Sequence, residues 1–247
     1  MEKTIKTKKK YMKNGYIDKH FLLQANKELS SQNVNKILEW TKDTFGNKGV
    51  AMTTAFGYSG LALLHHVIDI IPDIKIYFID TGFHFKETLD FCDIISSQWN
   101  LNIEIIKPDI KKQELEKKIG KEPYKKNPDL CCHYCKVGPL LTFLHKHDAW
   151  LSGIRRDQSI TRSDIEVIEL DGRGKIKISP MAHWTKKQAW DYIRKNDIPY
   201  NQLHDKGYLS IGCEPCTRPI KFGENERDGR WPFMQKLECG IHLNNND

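Results

Sequence analysis

The sequence predicts an α/β fold, in which a parallel β-sheet is flanked by helices. Short apolar strand segments alternate with amphipathic helical segments from residue 50 to residue 119, and turn residues separate them. Strands that alternate with helices at this spacing pair in parallel, through right-handed crossovers. Hydrophobic residues make up 39% of the 247 residues and charged residues 29%, as in a globular protein with one sizeable core.

The N-terminal region predicts a tail followed by a helix. Six of the first 13 residues are lysines, and few side chains there are apolar. We therefore expect a disordered basic tail over residues 1–16. Residues 17–46 are predicted to be helical, because apolar side chains supply one side of the segment and turn residues at 47–49 end it.

The alternating pattern occupies residues 50–153. Strands are predicted at 50–56, 74–79, 103–106 and 149–153. Helices are predicted at 61–71, 87–99, 111–119 and 139–147. Ligands of such sheets bind at the carboxyl ends of the strands. We therefore expect residues 56–60 and 80–82 to lie on the same edge.

Two further elements follow. The turn sequence DGRG at 171–174 lies between two apolar runs and predicts a β-hairpin over 165–170 and 175–179. A capping box begins at Thr185 and predicts a helix over residues 185–196. Beyond this helix the sequence has many turn residues and little periodicity, which predicts an irregular C-terminal extension that contains cysteines. We expect one α/β domain over residues 17–235.

Charge indicates an anionic partner. The chain has 39 Lys and Arg residues against 32 Asp and Glu residues, a net charge of +7. Six of the eight arginines fall in short groups, at 155, 156, 162, 218, 227 and 230. The arginine fork suits a phosphate or sulfate group, so these groups predict anion binding, with ordinary surface charge as the alternative. No apolar run reaches the roughly 18 residues of a membrane span, and no secretory signal is present, so we expect a cytoplasmic protein with no membrane partner.

The seven cysteines indicate a metal or redox site. They lie at positions 92, 131, 132, 135, 213, 216 and 239. An odd number without an export signal argues against a disulfide framework. Two CxxC pairs, 132–135 and 213–216, suggest a four-thiolate zinc site. The adjacent Cys131 suits an iron–sulfur cluster, in which separate irons each take one thiolate. Spacing alone does not decide between a zinc site, an iron–sulfur cluster and a chance arrangement of cysteines.

Two other features are weak evidence of function when each is taken alone. Cys239 lies close to the end of the sequence, where a thiolate nucleophile can visit two partners in turn, although an unimportant thiol is equally compatible with that position. Residues 53–60 form a glycine-containing loop between a strand and a helix, and its backbone N–H groups can meet a phosphate. This loop matches neither the P-loop nor the Rossmann pattern.

Six motifs together resemble the adenylyl-sulfate reductases, the iron–sulfur branch of the phosphoadenylyl-sulfate reductase family. They are IDTGFHFKET (79–88), CCHYCKVGPL (131–140), SGIRRDQSITR (152–162), IPYNQLHDKGYLSIGCEPCTRPI (198–220), ERDGRW (226–231) and ECGIH (238–242). They occur in family order and cover roughly residues 45–243. The resemblance implies an adenine nucleotide α-hydrolase-like fold, which agrees with the predicted parallel sheet.

The resemblance also implies a reaction. Adenylyl sulfate is attacked at sulfur by Cys239 on a mobile tail (236–247), AMP leaves, and an external thioredoxin or glutaredoxin-type dithiol releases sulfite from the cysteine S-sulfonate. One [4Fe-4S] cluster is implied on Cys131, Cys132, Cys213 and Cys216. The implied substrate-binding residues are Lys136, Arg162, Arg227, Arg230, Gly57 and Gly153. A homo-oligomer in assimilatory sulfate reduction and cysteine biosynthesis is implied too, with no nucleic-acid partner.

The sequence departs from the family pattern at several positions. Cys135 replaces the usual arginine and is a possible competing ligand. In the phosphate loop, Ala55 replaces a serine and Ser59 replaces an acid, which leaves Thr54 to supply a hydroxyl. Two alternatives stay open: a reductase that uses phosphoadenylyl sulfate, alone or as well, and a zinc-stabilised nucleotide-binding module.

Overall fold

A computed structural model describes residues 11–13, 16–234 and 236–242. Its centre is a six-stranded sheet of β3 to β8, and a two-stranded hairpin, β1–β2, precedes it. The strands are β1 (Met12–Lys13), β2 (Tyr16–Ile17), β3 (Val50–Thr53), β4 (Lys75–Ile79), β5 (Ile103–Ile106), β6 (Ala149–Leu151), β7 (Ile168–Leu170) and β8 (Ile176–Ile178). The α-helices are α1 (Lys19–Leu29), α2 (Val34–Gly49), α3 (Tyr58–Ile70), α4 (Lys86–Gln98), α5 (Lys112–Ile119), α6 (Pro123–Lys126), α7 (Pro128–Cys132), α8 (Gly138–Leu144) and α9 (Lys186–Lys195).

The sheet confirms the predicted fold class. Its strand order is β5-β4-β3-β6-β8-β7, and every neighbouring pair is parallel except β7 with β8. The antiparallel pair is the hairpin predicted around residues 171–174. After β3 the chain proceeds to β4 and β5 on one side, and it then returns to β6 on the other side. The carboxyl ends of β3 and β6 are therefore a topological switch point, where ligands of such sheets bind.

The N-terminal region differs from its prediction in two ways. The predicted tail included residue 11, but the Tyr11 side chain is 2% exposed and its ring centroid lies 4.9 Å from that of Phe45. The rest of the predicted tail that precedes residue 11 lies outside the described residues. The single helix predicted over residues 17–46 is wrong, because the structure has α1 and α2. The Asn33 side chain accepts the backbone N–H of Lys36 at 2.9 Å and so begins a new helix.

The core lies on both faces of the sheet. Strands β3, β4, β6 and β8 are almost wholly buried, and α3 contributes a buried apolar side against them. Such burial is typical of a sheet covered by helices on both faces. Within the described residues, no helix is long and apolar enough to cross a membrane.

The C-terminal part is irregular, as predicted. Beyond α9 it contains two short 3-10 turns, Gln202–His204 and Glu214–Cys216, and isolated bridges. One of these bridges pairs His84, just after β4, with Cys213. The extension therefore returns to the carboxyl edge of the sheet. It brings the second cysteine pair to the region of the first.

Candidate active site

A pocket lies at the switch point between β3 and β6. Its walls include Gly57, the residue that precedes α3, and Gly153, which follows β6. A Cβ atom at Gly153 would lie 2.9 Å from the Gly60 Cα and 3.0 Å from the Ser59 carbonyl oxygen. Because these are backbone atoms, the two loops approach this closely only with glycine at position 153. A Cβ atom at Gly57 would meet nothing within 4 Å.

The loop after β3 is held by its own side chains. The Thr54 hydroxyl accepts the Phe56 backbone N–H at 3.0 Å, and Phe56 is fully buried with φ of +56°. Thr54, which we expected to supply the hydroxyl missing at Ala55, therefore shapes the loop through its own backbone contact. The Ser59 hydroxyl accepts a hydrogen bond from the buried Arg155 guanidinium. Ser59 is thus a partner of an internal arginine.

Most of the clustered arginines already bind carboxylates. Arg155 is fully buried and contacts Glu226 at 2.8 Å, so it stabilises the fold beside the pocket. Arg156 pairs with Glu166 and Arg218 with Glu224. Arg162 and Arg227 both pair with Glu238. Of the positive groups, only those that line the pocket therefore remain candidates for binding an anion.

Lys136 and Arg230 are the pocket cations without a carboxylate partner among the described residues. Arg230 stacks on Trp231, with 4.7 Å from its guanidinium carbon to the ring centroid, and its Nε has no hydrogen-bond partner. Burial acts to lower the pKa of the Lys136 ammonium, but the charges of Cys213 and Cys239 outweigh it and raise that pKa. Lys136 therefore stays protonated. Two positive groups face the same space and are available to a bound anion.

Cys239 lies in the same pocket, and its side chain is 8% exposed. Its thiol contacts Cys132, and it packs in an apolar cluster with Cys216 and Trp231. A hydrogen bond from the Cys132 thiol holds the pKa of Cys239 well below its usual range, against the effect of burial, and the Lys136 charge lowers it as well. Were Cys132 a metal-bound thiolate, that hydrogen bond would be lost, whereas the effect of Lys136 would remain. A thiolate is the reactive form of cysteine. The site therefore combines a nucleophile with free cations.

Five cysteines line a second, adjacent cavity together with Thr81, Phe83, Tyr124, Pro128 and Lys136; they are Cys131, Cys132, Cys135, Cys213 and Cys216. The first three lie on α7 and on the π-helix His133–Val137 that continues it. The Thr81 hydroxyl contacts the Cys213 sulfur at 3.3 Å. Within the described chain, no group of three or more Cys, His, Asp or Glu side chains is arranged to hold a metal ion. Five thiols around one cavity are enough to supply the four thiolates of an iron–sulfur cluster, and they are also enough for a four-thiolate zinc site.

The sequence-predicted residues converge in these two cavities. Cys239 and all six predicted substrate-binding residues line the first pocket, and the four predicted cluster ligands line the second. Of the predicted mobile tail, Glu238, Cys239, Ile241 and His242 line the first pocket. The mobility of the tail stays a prediction, and residues 243–247 lie outside the described residues. Lys136 lines both cavities, and it therefore stands between the cysteines and the space next to Cys239.

Sequence reasoning missed several residues of the site. Glu238 binds two of the arginines, and Arg173 donates to the Ile241 carbonyl oxygen at 2.7 Å. Burial lowers the pKa of His84 to about 4, and it also holds the pKa of His242 well below its usual range. Both neutral histidines line the pocket with an unpaired Nδ1. The motifs at 79–88 and 238–242 contained Glu238, His84 and His242, whereas Arg173 lay in the predicted hairpin turn and carried no signal of a role in the site.

Comparison with known proteins identifies related sequences. Residues 49–219 match the model of the phosphoadenosine phosphosulfate reductase domain. An adenosine 5′-phosphosulfate reductase of Halalkalibacterium halodurans is 39% identical over 89% of this chain and 95% of its own length. Adenosine 5′-phosphosulfate reductase 2 of Bacillus subtilis is 40% identical over 87% of this chain and 93% of its own length.

Solved structures agree on the fold. The phosphoadenylyl-sulfate reductase of Candida auris, solved as a phosphate complex, matches with a TM-score of 0.70 and 32% identity. The match covers 81% of this chain and 97% of that one. The FMN adenylyltransferase of Candida glabrata shares the fold with a TM-score of 0.59 at 12% identity, covering 98% of this chain and 81% of that one.

Proposed function

The chain belongs to the phosphoadenosine phosphosulfate reductase family, and from this membership we propose that it reduces adenosine 5′-phosphosulfate (adenylyl sulfate) to sulfite and AMP. The observation that carries the proposal is the placement of Cys239 in one pocket with Lys136, Arg227 and Arg230. A buried thiolate beside cations that retain hydrogen-bond donors suits attack on an anionic sulfuryl group whose leaving group is a phosphate. The names of the bacterial relatives support the same substrate.

In the first step, the Cys239 thiolate attacks the sulfur atom of the substrate. A sulfur–sulfur bond forms, and the bond between that sulfur and the bridging phosphate oxygen breaks. AMP leaves with the electron pair, and the enzyme carries a cysteine S-sulfonate. Lys136 and Arg230 neutralise the charge that develops on the phosphate and sulfuryl oxygens, in a site from which packing of the tail excludes water.

In the second step, an external dithiol supplies two electrons. One thiolate of a thioredoxin-type or glutaredoxin-type protein attacks the Cys239 sulfur, the sulfur–sulfur bond breaks, and sulfite leaves. The second thiol of the dithiol then resolves the mixed disulfide. Cys239 is released as a thiolate, and the reductant becomes a disulfide. This step requires Cys239 to leave the pocket, which is the reason for expecting a mobile tail.

Cys131, Cys132, Cys213 and Cys216 would hold a [4Fe-4S] cluster. When bound, the cluster would supply an electrostatic contribution through Lys136, which lines both cavities, since the dithiol supplies the electrons. Iron and acid-labile sulfide in anaerobically purified protein would support this assignment. Zinc without sulfide would favour the alternative of a zinc-stabilised nucleotide-binding module.

Substrate choice is tested by sulfite formation with thioredoxin as reductant. We expect turnover with adenosine 5′-phosphosulfate and little with the 3′-phosphorylated analogue. Equal turnover of both would make the substrate assignment dual, the possibility suggested by the Candida auris relative. A Cys239→Ser variant should be inactive with either. Full activity of that variant would overturn the proposed mechanism, and the predicted homo-oligomer can be checked on the same preparations.

A further inference from the structure

Glu238 holds the tail segment through two arginines. Its carboxylate accepts from Arg162 Nε at 2.7 Å and Arg162 Nη2 at 2.9 Å, and from Arg227 Nη2 at 3.0 Å. The Glu238 side chain is 7% exposed, and together the two arginines hold its pKa well below the usual range, against the opposing effect of burial. A buried bidentate pair of this kind is strong and directional. Glu238 immediately precedes Cys239, whose backbone N–H also donates to the same carboxylate at 2.8 Å.

All three nitrogens of the Arg162 guanidinium already donate to protein side chains, which occupies three of its five N–H groups. Its third nitrogen, Nη1, donates to the Gln158 side-chain oxygen at 2.5 Å. Arg227 differs, because its Nε has no hydrogen-bond partner, and Arg230 and Lys136 bind no carboxylate among the described residues. The pocket cations thus divide into Arg162, whose three guanidinium nitrogens all bind protein groups, and the other three, which among the described residues each keep at least one nitrogen that binds none.

Further contacts hold the same segment from its other side. Arg173, in the turn between β7 and β8, donates to the carbonyl oxygens of Ile241 at 2.7 Å and Gly240 at 3.4 Å. The His242 ring stacks on Trp150 of β6, with centroids 6.0 Å apart and an interplanar angle of 18°. Residues 238–242 are therefore fixed at both ends, with Cys239 between the two attachments.

We propose that Arg162 is a positioning residue, which acts through Glu238 to hold the Cys239 tail closed over the substrate, and that Lys136, Arg227 and Arg230 bind the phosphosulfate group. This inference rests on the proposed function. The arginine fork is required because it meets both carboxylate oxygens, which a lysine ammonium cannot do with the same geometry. Opening of the tail toward the reductant then requires the Glu238 contacts to break.

The first test measures tail closure without any substrate. Hydrogen–deuterium exchange at the amides of residues 240–242 is compared among the wild type, Glu238→Gln and Arg162→Lys. Loss of a charge-assisted contact should accelerate exchange in both variants by roughly tenfold or more. A Glu224→Gln variant is the matched control, since it weakens an arginine–carboxylate pair outside the pocket, with Arg218. It should leave exchange at residues 240–242 unchanged.

The second test measures the chemical step. Rapid quenching followed by mass spectrometry gives the rate of S-sulfonate formation at saturating adenosine 5′-phosphosulfate. Glu238→Gln and Arg162→Lys should each slow it by roughly tenfold or more. The double variant should be no slower than the slower single variant, because both changes break the same contact.

Substrate affinity separates positioning from direct binding. In a Cys239→Ser background, which prevents turnover, Arg162→Lys is compared with and without Glu238→Gln. Once Glu238→Gln has removed the carboxylate, Arg162→Lys should cause no further change in the affinity for adenosine 5′-phosphosulfate. A further loss of affinity would show that Arg162 binds the substrate directly, and it would overturn the proposal.

The outcomes also separate this inference from the proposed function. Unchanged exchange in both variants, with normal S-sulfonate formation by the wild type, would overturn the tail clamp alone. A wild-type protein that forms no S-sulfonate would overturn the proposed function and the positioning role with it. The exchange measurement still decides in that case whether Arg162 and Glu238 hold the tail.

Discussion

Gly153→Ala should destabilise the protein, although it adds a single methyl group. The added Cβ would lie 2.9 Å from the Gly60 Cα and 3.0 Å from the Ser59 carbonyl oxygen. Neither atom can rotate away, because both belong to the backbone at the start of α3. Overpacking of this kind costs about 1–3 kcal/mol. For a chain of this size that corresponds to a decrease of roughly 2–10 °C in Tm.

Gly57→Ala is the matched control for this prediction. Both glycines line the pocket, but a Cβ at Gly57 would meet nothing within 4 Å, and its φ of −65° and ψ of 153° suit alanine. The lost conformational freedom of the unfolded chain and the poorer helix cap should nearly cancel, which leaves the free energy of unfolding within about 1 kcal/mol of the wild type. The methyl group would instead narrow the pocket, so KM should rise.

Urea denaturation and steady-state kinetics on both variants test the reasoning. We expect Gly153→Ala to lose stability, and to lose activity because the loops after β3 and β6 are forced apart. Gly57→Ala should keep its stability while its KM increases. A Gly153→Ala protein as stable as the wild type would show that the close approach of the two loops is not what requires glycine.

Three further predictions concern the cysteine cavity, the buried arginine and pH. Cys135→Ala should keep the iron content of the wild type, whereas Cys213→Ala should lose it; iron loss in the first variant would make Cys135 a ligand. Glu226→Ala removes one of the two carboxylates that pair with Arg155, which is 0% exposed, and leaves Asp157 at 2.9 Å. It should lower the free energy of unfolding by about 1.5–3 kcal/mol, and an unchanged urea midpoint would contradict this. Burial lowers the pKa of His204 from 6.5 to about 4. The unfolded chain therefore binds the extra proton, so stability is full above pH 6.5 and falls as the pH drops toward 4. The loss should reach about 2 kcal/mol at pH 5. His204→Gln should make the free energy of unfolding depend less on pH. An unchanged dependence would show that other groups cause it.

The parallel sheet was predictable because its strands are buried on both faces. Such strands are continuous apolar runs, and two of the intervening helices, α3 and α5, end close to Pro72 and Gly120. The hairpin at 171–174 was predictable for a local reason as well. The Asp171 side chain accepts the backbone N–H groups of Arg173 at 2.9 Å and Lys175 at 3.0 Å, and Gly174 has φ of +75°.

Other features depend on contacts that local sequence does not specify. The break between α1 and α2 falls in a polar stretch. The apolar side chains before and after it continue the same helical periodicity, so the sequence pattern predicts one helix. Tyr11 is buried by a distant aromatic contact with Phe45, although its neighbours are lysines. The π-helix that carries Cys135 has no known sequence signal, and such turns are frequent at functional sites.

The division of roles among the arginines was also beyond sequence reasoning. Their clustering correctly placed Arg162, Arg227 and Arg230 around one pocket. It did not indicate that Glu238, 76 residues beyond Arg162, takes up two of the three guanidinium groups. The pairing of charges is decided by tertiary contacts, and the motif at 238–242 drew attention to its cysteine alone.

The most direct test of the central claim is intact mass spectrometry of anaerobically prepared protein. The protein is mixed with adenosine 5′-phosphosulfate, in the absence of any reductant, and the modified residue is located by peptide mapping. We expect each chain to gain one sulfo group on Cys239, with one AMP released. Protein that contains its full complement of iron and sulfide and still gains no sulfo group would contradict the account.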